Sequence, residues 1–182
     1  MLFFSQEFKH KIKLKLVSLK IWWFLEPIYR FSWKRWVNAG TDDFSTSPLV
    51  IAEMVKEIIK DKKVCDLGCR KGFLLSAFKK YAKEVVGVEK DENFCEICRK
   101  KGLNVINGDI FEIKIPDADV YYFWLNEKQV REIMKRFKEQ SRGGLVIRGF
   151  RADEPQIFES PIISCPRRRS TETDFKIQII KL

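Results

Sequence analysis

The sequence predicts a doubly wound α/β domain: a mostly parallel, seven-stranded sheet closed by an antiparallel C-terminal edge pair, with a basic, aromatic arm ahead of it. Three observations lead there. Short apolar runs that end in an acid alternate with longer segments of helical periodicity, the pattern of repeated βαβ units. One junction, Val64 to Gly72, passes from strand to helix through a tight glycine turn. Residues 1–40 carry eight Lys/Arg against two acids and four of the five tryptophans, so they read as an arm distinct from a domain over 41–182.

In the arm, Phe4, Phe8, Ile12, Leu16, Leu19 and Trp23 form a helical stripe, while Lys9, Lys11, Lys13 and Lys15 alternate with apolar neighbours as in a strand. The helix is the reading adopted. Ile21 to Leu25 is far short of the roughly 20 apolar residues that cross a bilayer, and no cleavage pattern follows Met1 to Phe4. Lysines beside tryptophans suit an anionic membrane surface; cations with aromatics also suit RNA; a helix packed on its own domain needs neither. All three readings stay open. The net charge of +10 favours an anionic partner in general. An odd count of five cysteines, without a secretory pattern, indicates a reducing cytoplasm, with peripheral membrane attachment through the arm as an option. Cys65, Cys69, Cys95 and Cys98 have spacings that invite zinc, but one falls in a strand core and two on a helix face, so no metal is expected.

The domain opens with Ser47 as N-cap and Pro48 in the first turn of a helix reaching Lys60, its inward face Leu49, Ala52, Val55, Ile58 and Ile59. The first strand ends on Asp66 and turns through Gly68 and Gly72 into a helical pattern running from Phe73 to Tyr81. A second strand, Val85 to Glu89, ends in another acid. A helix from Asp91 to Lys101 stops at Gly102. Asn104 to Asn107 forms a third strand, followed by Gly108 and Asp109. Asp119 to Asn126 is too apolar to be other than a central strand, and a helix follows from Glu127 to Gln140. The fifth strand is Leu145 to Arg148. Ile157 to Ile163 and Phe175 to Leu182 form the edge pair, joined by a loop containing Arg167, Arg168 and Arg169, which reads as solvated or as a contact for an acidic substrate.

Charge narrows the ligand. A dinucleotide site needs Gly-x-Gly-x-x-Gly so that the backbone can approach a pyrophosphate. Here Arg70 stands at the second glycine position, and Asp66, ahead of the first, repels a phosphate. An acidic strand end suits a cationic ligand such as S-adenosylmethionine, with its sulfonium and ammonium. Glu89 lies about 20 residues past the turn, the spacing at which a carboxylate takes ribose hydroxyls. Asp109 supplies a third strand-terminal acid. Trp124 and Asn126 mark the end of the fourth strand, where an acceptor would lie, although Trp124 also reads as core and Asn126 as a helix N-cap.

Together these residues resemble the class I S-adenosylmethionine-dependent methyltransferases, a Rossmann-like family, over residues 41–182. The resemblance implies S-adenosylmethionine as cofactor. It places Asp66, Gly68 and Gly72 at the methionine end, Glu89 on the ribose and Asp109 near the adenine, with Thr46 and Ser47 near the pocket and Trp124 and Asn126 at the acceptor mouth. No general base is implied. The family usually has glycine where Arg70 stands, and Lys71 is a second departure. The stretch Trp124-Leu125-Asn126-Glu127 also differs from the Asn/Asp-Pro-Pro-aromatic run of enzymes that methylate exocyclic amines of bases or glutamine.

In layout the chain looks like the small protein-lysine methyltransferases of archaea and their mitochondrial relatives, though it lacks their proline-rich stretch before the first helix. That resemblance implies a protein substrate with an accessible lysine. In the mitochondrial branch a membrane-associating N-terminal segment precedes the domain, and the targets include inner-membrane carriers and an ATP synthase subunit. Two alternatives are carried forward: methylation of RNA, and a methyltransferase fold that has lost its cofactor and serves as a binding module.

Overall fold

The structure is a computed structural model and describes residues 48–151, 154–164 and 175–182. The arm, Thr46, Ser47 and Arg167 to Arg169 lie outside the described residues. In chain order the elements are α1 (Pro48–Ile59), β1 (Lys63–Leu67), α2 (Phe73–Phe78), β2 (Glu84–Glu89), α3 (Glu92–Lys100), β3 (Val105–Asn107), β4 (Val120–Phe123), α4 (Glu127–Glu139), β5 (Leu145–Arg151), β6 (Ile162–Ser164) and β7 (Phe175–Lys181).

The seven strands lie in the order β3-β2-β1-β4-β5-β7-β6. Pairing is parallel from β3 across to β5, then antiparallel from β5 to β7 and from β7 to β6. The order reverses between β1 and β4. A reversal of this kind opens a crevice outside the carboxyl ends of the strands, where open α/β sheets bind ligands.

Alternation along each strand sorts the core into two layers. Val64, Val85, Val120, Tyr122 and Ile147 face α1, α2 and α3, with Ile51, Val55, Leu75, Phe78, Cys95 and Cys98 opposite them. Cys65, Leu67, Val86, Val88, Tyr121, Phe123 and Val146 face the other way, onto Val130, Ile133 and Phe137 of α4 and onto Ile110 and Ile115. Burying both faces requires the near-continuous apolar strands seen in the sequence. By the same alternation Asp66 and Glu89 fall on the layer of α1 to α3.

Four boundaries differ from expectation, one of them that of β5, which runs on past Arg148 to Arg151. The sixth strand is only Ile162–Ser164. Ile157 and Phe158, expected to begin it, instead pack against the α4 layer. α2 ends at Phe78 rather than Tyr81, since the backbone N–H of Tyr81 turns back to the Phe78 carbonyl and the Tyr81 hydroxyl donates to Glu53 on α1 at 2.6 Å. β4 stops at Phe123, ahead of Trp124 and Asn126.

Candidate active site at the carboxyl edge

The turn after β1 is built on three residues with left-handed backbone: Gly68 (φ 85°), Arg70 (φ 49°) and Gly72 (φ 70°). Backbone N–H groups of Gly68 and Cys69 donate to the Val88 carbonyl at 2.8 and 3.1 Å, which ties the turn to β2. A Cβ on Gly68 would meet nothing within 4 Å, so space lies open over this turn. At Gly72 a Cβ would stand 2.6 Å from Leu103 Cδ1 and 2.7 Å from Cys98 Sγ. There glycine is needed for packing as well as for φ.

Arg70 does not fill that space in the way its size suggests. Its guanidinium lies 5.9 Å from the centroid of the Phe94 ring and the Lys71 ammonium 5.5 Å from the same ring, while Lys101 stands over Phe73 at 3.9 Å. These cations therefore form a basic, aromatic rim on α2 and α3 beside the turn.

Asp66, next to last in β1, and Glu89, the last residue of β2, lie on strands adjacent in the sheet, and both are nearly inaccessible at 3 % and 6 %. Glu89 accepts the backbone N–H groups of Arg70 at 2.8 Å and Asp91 at 3.0 Å, one on each carboxylate oxygen. A carboxylate has about four lone-pair sites, so capacity for two hydroxyls remains. Burial, with the Glu89 charge adding to it, pushes the Asp66 carboxyl up to about 7. Asp109 follows β3, half-buried, and its Oδ1 accepts the Phe111 N–H at 2.9 Å. Asn107, at the end of β3, reaches back with Nδ2 to the Glu89 and Lys90 carbonyls at 3.2 Å.

On the other side of β1, Tyr122 pairs in register with Asp66 and is buried. Burial, then the Asp66 charge, raises its hydroxyl well above the ordinary tyrosine value. Trp124 is half-buried and shares the α1-to-α3 layer. Tyr122 and Trp124 meet over Gly149 of β5, where an added Cβ would lie 2.7 Å from the Tyr122 hydroxyl and 2.6 Å from Trp124 Cε3. Sequence reasoning missed Tyr122 and Gly149, since only the register of β1, β4 and β5 brings them to Asp66 and Trp124.

Asn126 is exposed and caps α4: its side chain accepts the Gln129 N–H at 3.0 Å, and the Gln129 side chain returns to the Asn126 N–H at 3.2 Å. This is a capping box. Thus Asp66, Gly68 and Glu89 come together at one crevice, with Asp109 beyond β2 and Trp124 beyond β1, while Asn126 has a defined structural task of its own.

The cysteines separate. Cys65 faces α4, whereas Cys69, Cys95 and Cys98 face the opposite layer. The Cys98 thiol donates to the Arg70 carbonyl at 3.1 Å and Cys95 to that of Glu89 at 3.3 Å, so both brace the crevice. Burial raises the Cys65, Cys69 and Cys98 thiols. Among the described residues no group of three or more His, Cys, Asp or Glu could hold a metal ion, and no helix is long and apolar enough to cross a membrane.

Comparison with known proteins finds the same architecture repeatedly. The family model described as "Methionine biosynthesis protein MetW" matches residues 49–129. No curated protein matches the sequence significantly. Among solved structures, the N-methyltransferase NodS from Bradyrhizobium japonicum WM9 aligns with a TM-score of 0.58 at 11 % identity, covering 73 % of this chain and 93 % of its own. An RNA methyltransferase from Salinibacter ruber, in complex with S-adenosyl-L-homocysteine, aligns with a TM-score of 0.54 at 19 % identity, covering 72 % of this chain and 91 % of its own. A dimethyladenosine transferase from Plasmodium falciparum gives a TM-score of 0.54 at 14 % identity, covering 73 % and 60 %. Acceptors that differ this much on one fold show that the acceptor must be argued from residues, not from architecture. The described chain has the fold of the S-adenosylmethionine-dependent methyltransferases.

Proposed function

We propose that this protein is an S-adenosylmethionine-dependent methyltransferase, with its cofactor along the carboxyl ends of β1, β2 and β3 and its acceptor entering at the end of β4. The observation that carries the reading is the pair of buried carboxylates, Asp66 and Glu89, side by side at the glycine turn. The charge acting on Asp66 is another carboxylate. A sulfonium or ammonium relieves that repulsion, and a phosphate would add to it. Glu89, already oriented by two N–H groups, is poised for ribose hydroxyls; Asp109 is assigned to the adenine side, and Gly68 and Gly72 let the methionine end approach the backbone.

The bound cofactor supplies an already activated methyl group. The chain then contributes proximity, orientation and a dry surface rather than a dedicated base. In this reading Trp124, half-buried above Gly149, lines the approach of an uncharged amine. The acceptor we favour is a protein lysine: an alkyl amine suits a channel beside an indole, and the residues after β4 lack the Asn/Asp-Pro-Pro-aromatic run of the base-methylating enzymes. The arm of residues 1–40 would then bring the domain to an anionic membrane surface. RNA is the second reading, favoured by the rim of Arg70, Lys71 and Lys101 over Phe94 and Phe73. The cofactor-free reading needs Arg70 to block the crevice, and the placement of its guanidinium beside Phe94 counts against that.

Calorimetric titration of S-adenosylmethionine and S-adenosylhomocysteine into the full chain tests the proposal. Micromolar binding that is lost in Glu89→Gln supports it. No heat with folded protein removes it and leaves the cofactor-free reading.

A further inference from the structure

The opposite face of the sheet holds a polar cluster that the cofactor crevice does not use. Arg148 on β5 is fully buried at 0 %, with its guanidinium 4.5 Å from the centroid of the Phe150 ring. Nη2 stands 3.5 Å from a Glu154 carboxylate oxygen, while Nε and Nη1 are buried without a hydrogen-bond partner among the described residues. Gln178, its register partner on β7, is equally buried: Nε2 donates to the Phe158 carbonyl at 2.5 Å, but Oε1 has no partner among the described residues. The Ser160 hydroxyl is a further buried group without one.

Each buried polar group left unmatched destabilises the fold, and a charged one more so. Phe or Met at position 148 would avoid that cost, so packing alone does not account for this arginine. Its location is informative. Arg148 is in register with Phe123, the last residue of β4, and the Glu127 carboxylate at the start of α4 acts on it together with Glu154. The cluster therefore lies next to the acceptor end of the sheet, behind Trp124.

We propose that Arg148 is the centre of an oxyanion-binding site that takes a carboxylate or phosphate group of the acceptor molecule, an inference resting on the reading of the chain as a methyltransferase. Glu154 holds the place of that group. A guanidinium–carboxylate contact of full strength is about 2.7–2.9 Å, and the 3.5 Å separation falls short of it. An incoming oxyanion displaces Glu154, whose side chain is 30 % exposed, and engages the donors that Glu154 leaves unmet. Gln178 Oε1, on the register partner of Arg148, accepts from a hydroxyl or N–H beside the anion.

The test uses the full chain, with inorganic phosphate and acetate titrated against chloride at constant ionic strength near neutral pH, read as thermal stabilisation. Either anion should raise the melting temperature of the wild type; the responding anion identifies the group. Arg148→Met should remove most of that rise and melt higher than wild type in chloride. Glu154→Gln should lower the midpoint of the response severalfold by removing the competing carboxylate. Equal anion responses in wild type and Arg148→Met, or no response in wild type, overturn the proposal. Should Arg148→Met fail to fold, an unchanged midpoint in Glu154→Gln overturns it. S-adenosylmethionine affinity, measured on the same samples, should not change in either variant; its absence in wild type would count against the methyltransferase reading and not against the anion site.

Discussion

Glu89 accepts the backbone N–H of Arg70 at 2.8 Å and so fastens the end of β2 to the turn after β1. Arg70 sits at φ 49°, a left-handed conformation that costs a non-glycine residue roughly 1–2 kcal/mol. A hydrogen bond to a charged group is worth about 1.5–3 kcal/mol, enough to offset it. The carboxylate proposed for the ribose is therefore also a structural clamp on the turn after β1.

Alanine at position 89 consequently confounds two effects. It removes the carboxylate proposed to hold the ribose and leaves two N–H groups, of Arg70 and Asp91, without their acceptor. Glu89→Ala should lose cofactor binding and also about 1–3 kcal/mol of stability. Glu89→Gln keeps one acceptor oxygen, so it should lose most affinity with a smaller fall in denaturation midpoint. Equal stability losses in the two variants would show that the clamp is not the carboxylate.

On the proposed placement, Asp66 should tie cofactor affinity to pH. With its carboxyl at about 7, the group is largely protonated one unit below and largely ionised one unit above. A cationic ligand selects the ionised form, so affinity for S-adenosylmethionine should fall about tenfold between pH 8 and pH 6. Asp66→Asn should bind weakly with little pH dependence. Its effect on the ligand-free fold has the opposite sign. A carboxyl raised in the folded state from an ordinary 3.8 binds its proton more tightly there, so its ionisation destabilises the fold as pH rises from about 4 to 7. Asp66→Asn should therefore melt higher than wild type above pH 7, by up to about 4 kcal/mol of stability, with the gap closing toward pH 4. Parallel melting profiles would place the titrating group elsewhere.

What could be read in the sequence was what is local. A strand that ends in an acid, a glycine turn and a helical stripe sit within a few residues of one another, so Asp66, Gly68, Glu89 and the parallel frame were visible. Tyr122 and Gly149 were not, because they meet Asp66 and Trp124 only through cross-strand register. Arg148 and Gln178 were hidden for the same reason, each lying within an apparently ordinary strand. Ile157 and Phe158 misled for a different one: an apolar pair buried by packing on the α4 layer has the same composition as a strand.

Gly149 supports the placement of Trp124. An added methyl would fall 2.6 Å from the indole and 2.7 Å from the Tyr122 hydroxyl, and the half-buried indole has more room to move than buried Tyr122. Gly149→Ala should cost about 1–3 kcal/mol through overpacking and push the ring toward the crevice. In full chain labelled with 5-fluorotryptophan, the Trp124 resonance, assigned through Trp124→Phe, should move in Gly149→Ala and should also respond to S-adenosylmethionine in the wild type. A resonance indifferent to both would take Trp124 out of the acceptor mouth.

Asn126 separates capping from catalysis. Its Oδ1 is committed to the Gln129 N–H, and the reciprocal bond from Gln129 completes the start of α4. Loss of such a cap typically costs about 1 kcal/mol, which for a chain of this size is roughly 2–4 °C in melting temperature. Asn126→Ala should show that drop. Asn126→Asp keeps an oxygen for Gln129 and adds a charge favourable at a helix N-terminus, so it should melt at or above wild type while losing the Nδ2 donor. If both variants bind S-adenosylmethionine normally and transfer fails only in alanine, with recovery in aspartate, Asn126 acts by holding α4 and the residues before it. If transfer fails equally in both, the amide itself contacts the acceptor, and the acceptor offers it an oxygen rather than only an amine.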